Sequence, residues 1–366
     1  MPDTPEAADS ETHLTVTQAA ALWDVEPGYL NSSSYGPPPR PGWDAMQLGL
    51  EQWRYGRTSW EPWADSVQLS RERFAGLVGA DPARVTTGAT VSQLLAPVAV
   101  AAPDGATVLT ADIEFTSDVF PFAVHVDRGV RVRSVPLGEL AAAIGPDVDV
   151  VVYSAVQSAT GELADIAAIT ADARRHGALT VIDSTQATGW LEIDPDAADL
   201  LVCAAYKWLC CPRGTSFLVH HRSLSERHPT FADRYQPLAA GWFAGQDVHD
   251  SYYGLPLRLA SDARRFDISP AWHCWMGTAP ALQVLASVGQ TTIGEHNVAL
   301  ANEFLAAMGQ PPSNSAIVSV PADAAAIGRL SASGVRFGIR AGRVRMAFHL
   351  YSTEQDVAMA VHALRG

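Results

Sequence analysis

Lysine is almost absent from this sequence. Of its 25 basic side chains, 24 are arginine and one, Lys207, is lysine. Arginine serves as well on a solvated surface, so compositional preference explains the scarcity but not the one lysine that remains. A guanidinium keeps its proton at any usable pH. An amine loses its proton when it is desolvated or set beside other cations, and it can then act as a nucleophile or form a Schiff base. Positive charge is short overall: the net charge of −14 argues against a broad basic surface for nucleic acid or anionic membrane. No run of eighteen apolar residues is present to cross a bilayer. The four cysteines (Cys203, Cys210, Cys211, Cys274) lack metal-finger spacing and read as reduced thiols of a cytoplasmic protein. His220 and His221, on successive strand positions, face opposite sides and do not readily share a metal ion. No GxGxxG or GxxxxGK(S/T) follows a strand-like run, and no HExxH or GxSxG occurs. These absences speak against a nucleotide-binding α/β enzyme, a zinc protease and a serine hydrolase.

What is present is globular: 366 residues, 48% hydrophobic and 17% charged, enough for one large α/β unit or two fused domains. The opening MPDTPEAADSETH is acidic and polar, without the charged-then-apolar order of a signal peptide, so 1–13 is expected to be a disordered leader. The stretch PGYLNSSSYGPPPRP has loop chemistry, and 14–40 is expected to join a small domain. Between about 85 and 220, short β-branched runs (ATVLTA, VRVRSV, VDVVVYSAV, ALTVID, LLVCAAY, SFLVHH) alternate with helical stretches. This alternation predicts an α/β fold, a mainly parallel sheet between helices, with ligands beyond the carboxyl ends of the strands. The large domain is expected over 41–279, with an irregular aromatic region at 228–275. A helix near 278–308 and a strand, helix, strand, strand, helix order then predict a smaller α+β domain over 280–366.

The chemistry gathers at strand ends. ALTVIDSTQATG ends a strand at Asp183, and LLVCAAYKWLCCPRG ends another just before Lys207. An aspartate at such a place is also an ordinary turn or helix-capping residue. If the two strands are neighbours, however, carboxylate and amine share one sheet edge. Pyridoxal phosphate needs that arrangement: the amine binds the aldehyde, and the carboxylate keeps the pyridine nitrogen protonated so that the ring accepts electrons. In TTGATVSQLL, Gly88-Ala89-Thr90 opens a helix whose first N–H groups, with the Thr90 hydroxyl, can hold a phosphate dianion.

These residues, in this order, resemble the class V aminotransferase group of fold-type I pyridoxal-phosphate enzymes, which includes cysteine desulfurases, kynureninases and isopenicillin N epimerases. The resemblance runs from Tyr29-Leu30-Asn31 to Tyr351-Ser352-Thr353. It implies that Lys207 is the Schiff-base lysine, Asp183 the partner of the pyridine nitrogen and Gln186 a hydrogen-bonding partner of the cofactor's ring oxygen. It implies that Ala89 and Thr90 bind the phosphate. VRMAFHLYST is similar to the group's C-terminal strand, which makes Arg345 a bidentate clamp on the substrate α-carboxylate, with Ser34 also at the substrate. EFTSD resembles a kynureninase segment whose phenylalanine, here Phe115, stacks on the pyridine ring. GWFAG resembles one whose tryptophan, here Trp242, reaches the phosphate across a dimer interface, and Tyr206 matches a phosphate-contacting tyrosine. RRFDISPAW is similar to a stretch lining the neighbouring active site, and KWLCCPRG also resembles the epimerases.

There are departures from the kynureninases. Pro270 replaces an asparagine and offers no donor, and Gln186 stands in place of a histidine. SGVRFGIRAGRVR, before the carboxylate-binding arginine, holds no cysteine for a desulfurase's persulfide route. The implied reaction is Cα deprotonation of an amino acid followed by β-elimination or Cβ-bond cleavage, with transamination or epimerisation as alternatives. A homodimer with interfacial sites is implied, and no nucleic-acid or membrane partner. A non-catalytic binding protein on this fold would be expected to lack Lys207 or Asp183, and both are present.

Overall fold

In the computed structural model, which describes residues 13–366, the six β-branched runs, joined by Val85–Gly88, form a seven-stranded sheet. Its strands are β1 (Val85–Gly88), β2 (Thr107–Ala111), β3 (Arg131–Val135), β4 (Val150–Ser154), β5 (Leu179–Asp183), β6 (Leu200–Ala204) and β7 (Ser216–His220), in the order β1-β7-β6-β5-β4-β2-β3. All neighbouring pairs from β3 to β6 are parallel, and β7 alone is antiparallel to its neighbours β6 and β1. The sheet is therefore mixed and mostly parallel. The link between β6 and β7 is too short for a helical crossover, so the chain turns back beside the strand it has just left. Strands β2, β4, β5 and β6 are buried along their whole length. One apolar core, with Phe74, Leu109, Tyr153 and Trp208, lies on one face; another, with Leu95, Phe122, Val152 and Val181, lies on the opposite face. The expected leader falls, apart from His13, outside the described residues.

A second sheet has β8 (Ile317–Val320), β9 (Gly338–Arg340) and β10 (Arg343–Ala347) in the antiparallel order β8-β10-β9. Helices Gln290–Ala307, Ala324–Ala332 and Glu354–Arg365 supply its core, with Phe304, Leu330, Met346 and Phe348 buried between them. The helix expected near 278–308 is two, Thr278–Val288 and Gln290–Ala307, because Gly289 at φ +89° leaves the right-handed region between them.

The segment after Pro27 ties the two parts together. Tyr29 bridges to Arg336 and Asn31 to Ala347, Leu30 is buried in the small core, and the Gly36 N–H donates to the Tyr206 carbonyl at 2.9 Å. Among the described residues no helix is long and apolar enough to cross a membrane.

Candidate active site

Five strands end at one edge, and each delivers part of a single constellation. β5 and β6 are neighbours, with Asp183 opposite Val202, so Asp183 and the turn after Ala204 emerge side by side. Lys207 lies in that turn, only 5% exposed. Burial lowers its ammonium to about 8; the Asp183 charge pulls upward against this, and Arg345 adds to the lowering. The Lys207 Nζ stands 5.1 Å from the Phe115 ring centroid and 5.9 Å from that of Tyr206. The turn is tight: Cys210 N–H donates to the Lys207 carbonyl at 3.2 Å, and Cys210 itself adopts φ +53°. Gly36 lies against the same carbonyl so closely that a Cβ there would sit 1.9 Å from the oxygen.

β2 contributes the opposite wall. Ile113 takes φ +54°, a conformation that costs a β-branched residue about 1 kcal/mol or more, just before Glu114-Phe115. Glu114 turns inward as an acceptor of four hydrogen bonds, from Ser154 Oγ (2.5 Å), Ser154 N (2.9 Å), Gln157 Nε2 (2.9 Å) and Phe115 N (2.8 Å). It thereby fastens the ends of β2 and β4 together, and burial raises its carboxyl above the usual range. Asp118, one helical turn on in Thr116–Ala123, is wholly buried, and no donor among the described residues reaches its oxygens. Burial, then the charges of Asp183 and Glu114, raise its carboxyl well above the carboxylate range. Asp183 Oδ1 accepts from Thr185 N–H at 2.7 Å.

Arg345, on β10, is 1% exposed. Its Nη2 donates to Ser34 Oγ (2.6 Å) and its Nη1 to the carbonyl (2.5 Å) and Oγ (3.0 Å) of Ser158, while its Nε has no partner. Burial, then the nearby Arg340, lowers it to about 10. Among the described residues no carboxylate lies within ion-pair distance of it. A guanidinium out of water with no counter-ion is held at a cost of several kcal/mol, which an incoming carboxylate removes.

The other expected residues fall in different states. Thr90 caps the helix Val91–Ala101 and is exposed; its hydroxyl accepts from Gln93 N at 3.2 Å, and the Ala89 N–H donates to Gln93 Oε1 at 3.0 Å. Tyr206 is half-buried, with the Arg213 guanidinium 4.7 Å from its ring centroid. Gln186 is at the site, but its amide is occupied. Nε2 donates to the Ser33 carbonyl (2.9 Å) and Ser158 Oγ (3.0 Å), and Oε1 accepts from the Trp208 indole (2.8 Å). Trp242 is not brought to Lys207 within this chain. Its ring packs among Trp60, Phe243, Tyr252 and Trp272. The stretch RRFDISPAW is pinned beside β1, where Asp267 accepts from Arg71 Nη2 (2.6 Å) and from Thr87 N–H (2.8 Å).

Sequence reasoning missed Glu114, Asp118, Ser158 and Gly36. The first two lie within EFTSD, which was read only for its phenylalanine. Ser158 follows the VDVVVYSAV run, where the strand-end logic that picked out Asp183 applies equally. No thiol stands at the mouth: Cys203, Cys210 and Cys211 are buried and burial pushes each thiol up, to about 12 for Cys203.

A desolvated amine, a ring facing it, two aspartates side by side and a helix start for phosphate together fit pyridoxal phosphate. Comparisons agree with that fit. The family model described as "Aminotransferase class-V" matches residues 61–336. An uncharacterised aminotransferase of Bacillus subtilis is 27% identical over 339 residues, 87% of this chain and 88% of that protein. A kynureninase of Deinococcus radiodurans is 27% identical over 304 residues, 76% of this chain and 70% of that protein. Among solved structures, the cystine C–S lyase C-DES, as a mutant with glycine covalently linked to its PLP cofactor, superposes with a TM-score of 0.81. It is 19% identical, and the match covers 96% of this chain and 99% of that one. This chain belongs to the class V aminotransferase family and is an enzyme of its fold-type I, pyridoxal-phosphate-dependent group.

Proposed function

We propose that the enzyme is a lyase of α-amino acids, acting by β-elimination or Cβ-bond cleavage at the site between Lys207, Asp183 and Arg345. The observation that carries the amino-acid substrate is the buried guanidinium of Arg345, with no counter-ion among the described residues and close enough to Lys207 to lower its ammonium. Pyridoxal phosphate, carried on Lys207, supplies an electron-accepting ring at the substrate's Cα. Arg345, with Ser34 beside it, orients the α-carboxylate. The Lys207 amine, once freed, is a base matched to neutral or mildly alkaline pH and takes the Cα proton. Asp183, with Asp118 at its side, would hold the proton on the pyridine nitrogen. Phe115, whose ring faces Lys207, would stack on the cofactor ring. The helix start at Ala89-Thr90, with Tyr206, holds the phosphate.

The similarity to a kynureninase and to a cystine C–S lyase supports loss of a group from Cβ. The burial of three cysteines argues against a persulfide route through the enzyme's own thiol. Transamination is the second reading, favoured by the similarity to an aminotransferase over 87% of the chain. We further infer a cytoplasmic homodimer in which Trp242 faces the partner's phosphate site, and a division into 14–40 plus 280–366 as one domain and 41–279 as the other.

The test is a panel of amino acids added to the purified, coenzyme-loaded enzyme. Absorbance shifts identify those that react at Lys207, and keto acid, amine or thiol products identify the branch. Lys207→Ala is expected to abolish both the borohydride-fixed adduct and turnover. Full activity in that variant overturns the proposal, and keto acid formation dependent on a second keto acid replaces the lyase with the transaminase.

A further inference from the structure

The residue next to the lysine, Trp208, is gripped at both ends. Its indole Nε1 donates to Gln186 Oε1 at 2.8 Å, Gln186 Nε2 donates to Ser158 Oγ at 3.0 Å, and Arg345 Nη1 donates to the same hydroxyl at 3.0 Å. At its other end, the Trp208 carbonyl faces His349 Nε2 at 2.9 Å. His349 lies just past β10, the strand that carries Arg345. The contacts therefore close into a circuit, running from Arg345 through Ser158, Gln186, Trp208 and His349 and back along the backbone to Arg345.

The tautomer of His349 follows from its neighbours. Leu350 N–H donates to Nδ1 at 2.7 Å, so Nδ1 is an acceptor; in the neutral ring Nε2 then bears the hydrogen and donates to the Trp208 carbonyl. The ring is fully buried and stacked between Trp208 (5.5 Å, 20°) and Tyr351 (4.7 Å, 17°), which leaves it little freedom to turn. Its two ring nitrogens are taken up by the Leu350 N–H and the Trp208 carbonyl.

We propose that His349 is a positioning residue, which holds the Lys207 turn in register with the arginine-bearing strand so that carboxylate capture at Arg345 is transmitted to the lysine. The proposal rests on the functional reading above for the identity of the anion, and on the geometry alone for the link. The side chains have separable jobs. His349→Phe keeps an aromatic ring in the stack and removes the donor, whereas His349→Gln loses the stack but offers a donor for the same carbonyl.

Two measurements test this on the full-length enzyme. In stopped-flow absorbance with a reactive amino acid, His349→Phe is expected to lower the limiting rate of the Lys207 exchange step about tenfold, while the apparent Kd changes less than about threefold. His349→Gln is expected to recover most of that rate. In hydrogen exchange on the coenzyme-free chain, which needs no reaction, the amides of 207–211 are expected to exchange faster in His349→Phe than in the wild type or His349→Gln. Wild-type behaviour of His349→Phe overturns the proposal, as do equal losses in both variants or a loss confined to Kd. If the wild type forms no borohydride adduct at Lys207, the functional reading fails, and the exchange experiment still decides the link.

Discussion

Lys207 acts through what surrounds it. Removed from water, its ammonium is disfavoured, so its proton leaves near pH 8 rather than near 10.5, the value of an exposed lysine. Because the folded chain binds this proton less tightly than the unfolded chain, the unfolded state carries the extra proton between those two values. The coenzyme-free enzyme should therefore gain stability from Lys207 as pH rises from about 8 to about 10.5, and below about 8 it bears the full cost of the buried charge. Urea denaturation of wild type and Lys207→Met across that window checks this, since other groups cancel in the difference. Parallel curves would remove the basis for treating Lys207 as a base at mild pH. Asp118 shows the opposite displacement: burial, then the charges of Asp183 and Glu114, raise its carboxyl well above the ordinary value. The scarcity of lysine has a practical use as well: a side-chain amine label on this protein reports on one place.

At the scale of elements, the site is assembled by turns that depart from ordinary backbone. Ile113 and Cys210, two of the three non-glycine residues with positive φ among the described residues, lie beside Phe115 and Lys207 respectively. Glu114 compensates at the first by drawing four donors to one carboxylate. At the second, the N-terminal segment closes over the turn, and Gly36 is the residue that allows the approach. Gly36→Ala places a methyl carbon against the Lys207 carbonyl, where backbone rather than a flexible side chain must yield. We expect a stability loss of about 1–3 kcal/mol from overpacking, with coenzyme affinity reduced at least about tenfold. Denaturant midpoints and coenzyme titration measure the two effects. An unchanged variant would mean that the segment 29–36 does not press on the lysine turn.

Across the whole molecule, several large apolar side chains are uncovered. Trp43 and Trp53 on the helix Arg40–Arg54 are about half exposed, and Leu255 and Leu257 stand 89% and 75% exposed in a loop beside the Trp242 cluster. Large apolar side chains left exposed in this way are the kind of surface that association covers. The proposed dimer would cover them and bring Trp242 to the other subunit's phosphate site. Sedimentation should show a dimer, and Leu255→Glu with Leu257→Glu should shift it to monomer and weaken coenzyme retention without changing the far-ultraviolet dichroism. A wild-type monomer active at assay concentration would contradict this arrangement.

The α/β class, the six β-branched strands and the carboxylate–lysine pair were legible in the sequence because each rests on local pattern. A buried strand announces itself by composition, and an acid or amine at its end is read without knowing its neighbours. Even the break at Gly289 is a local matter, available to a closer reading of one glycine. Other features belonged to the tertiary structure alone: the raised Asp118 carboxyl beside Asp183, Arg345 buried with no counter-ion among the described residues, the Gln186 amide already engaged, and Trp242 away from Lys207. Each depends on which strands lie side by side and on how much water their packing excludes. Burial and the charges across the sheet edge set a proton's affinity, and both come from residues far away in the chain.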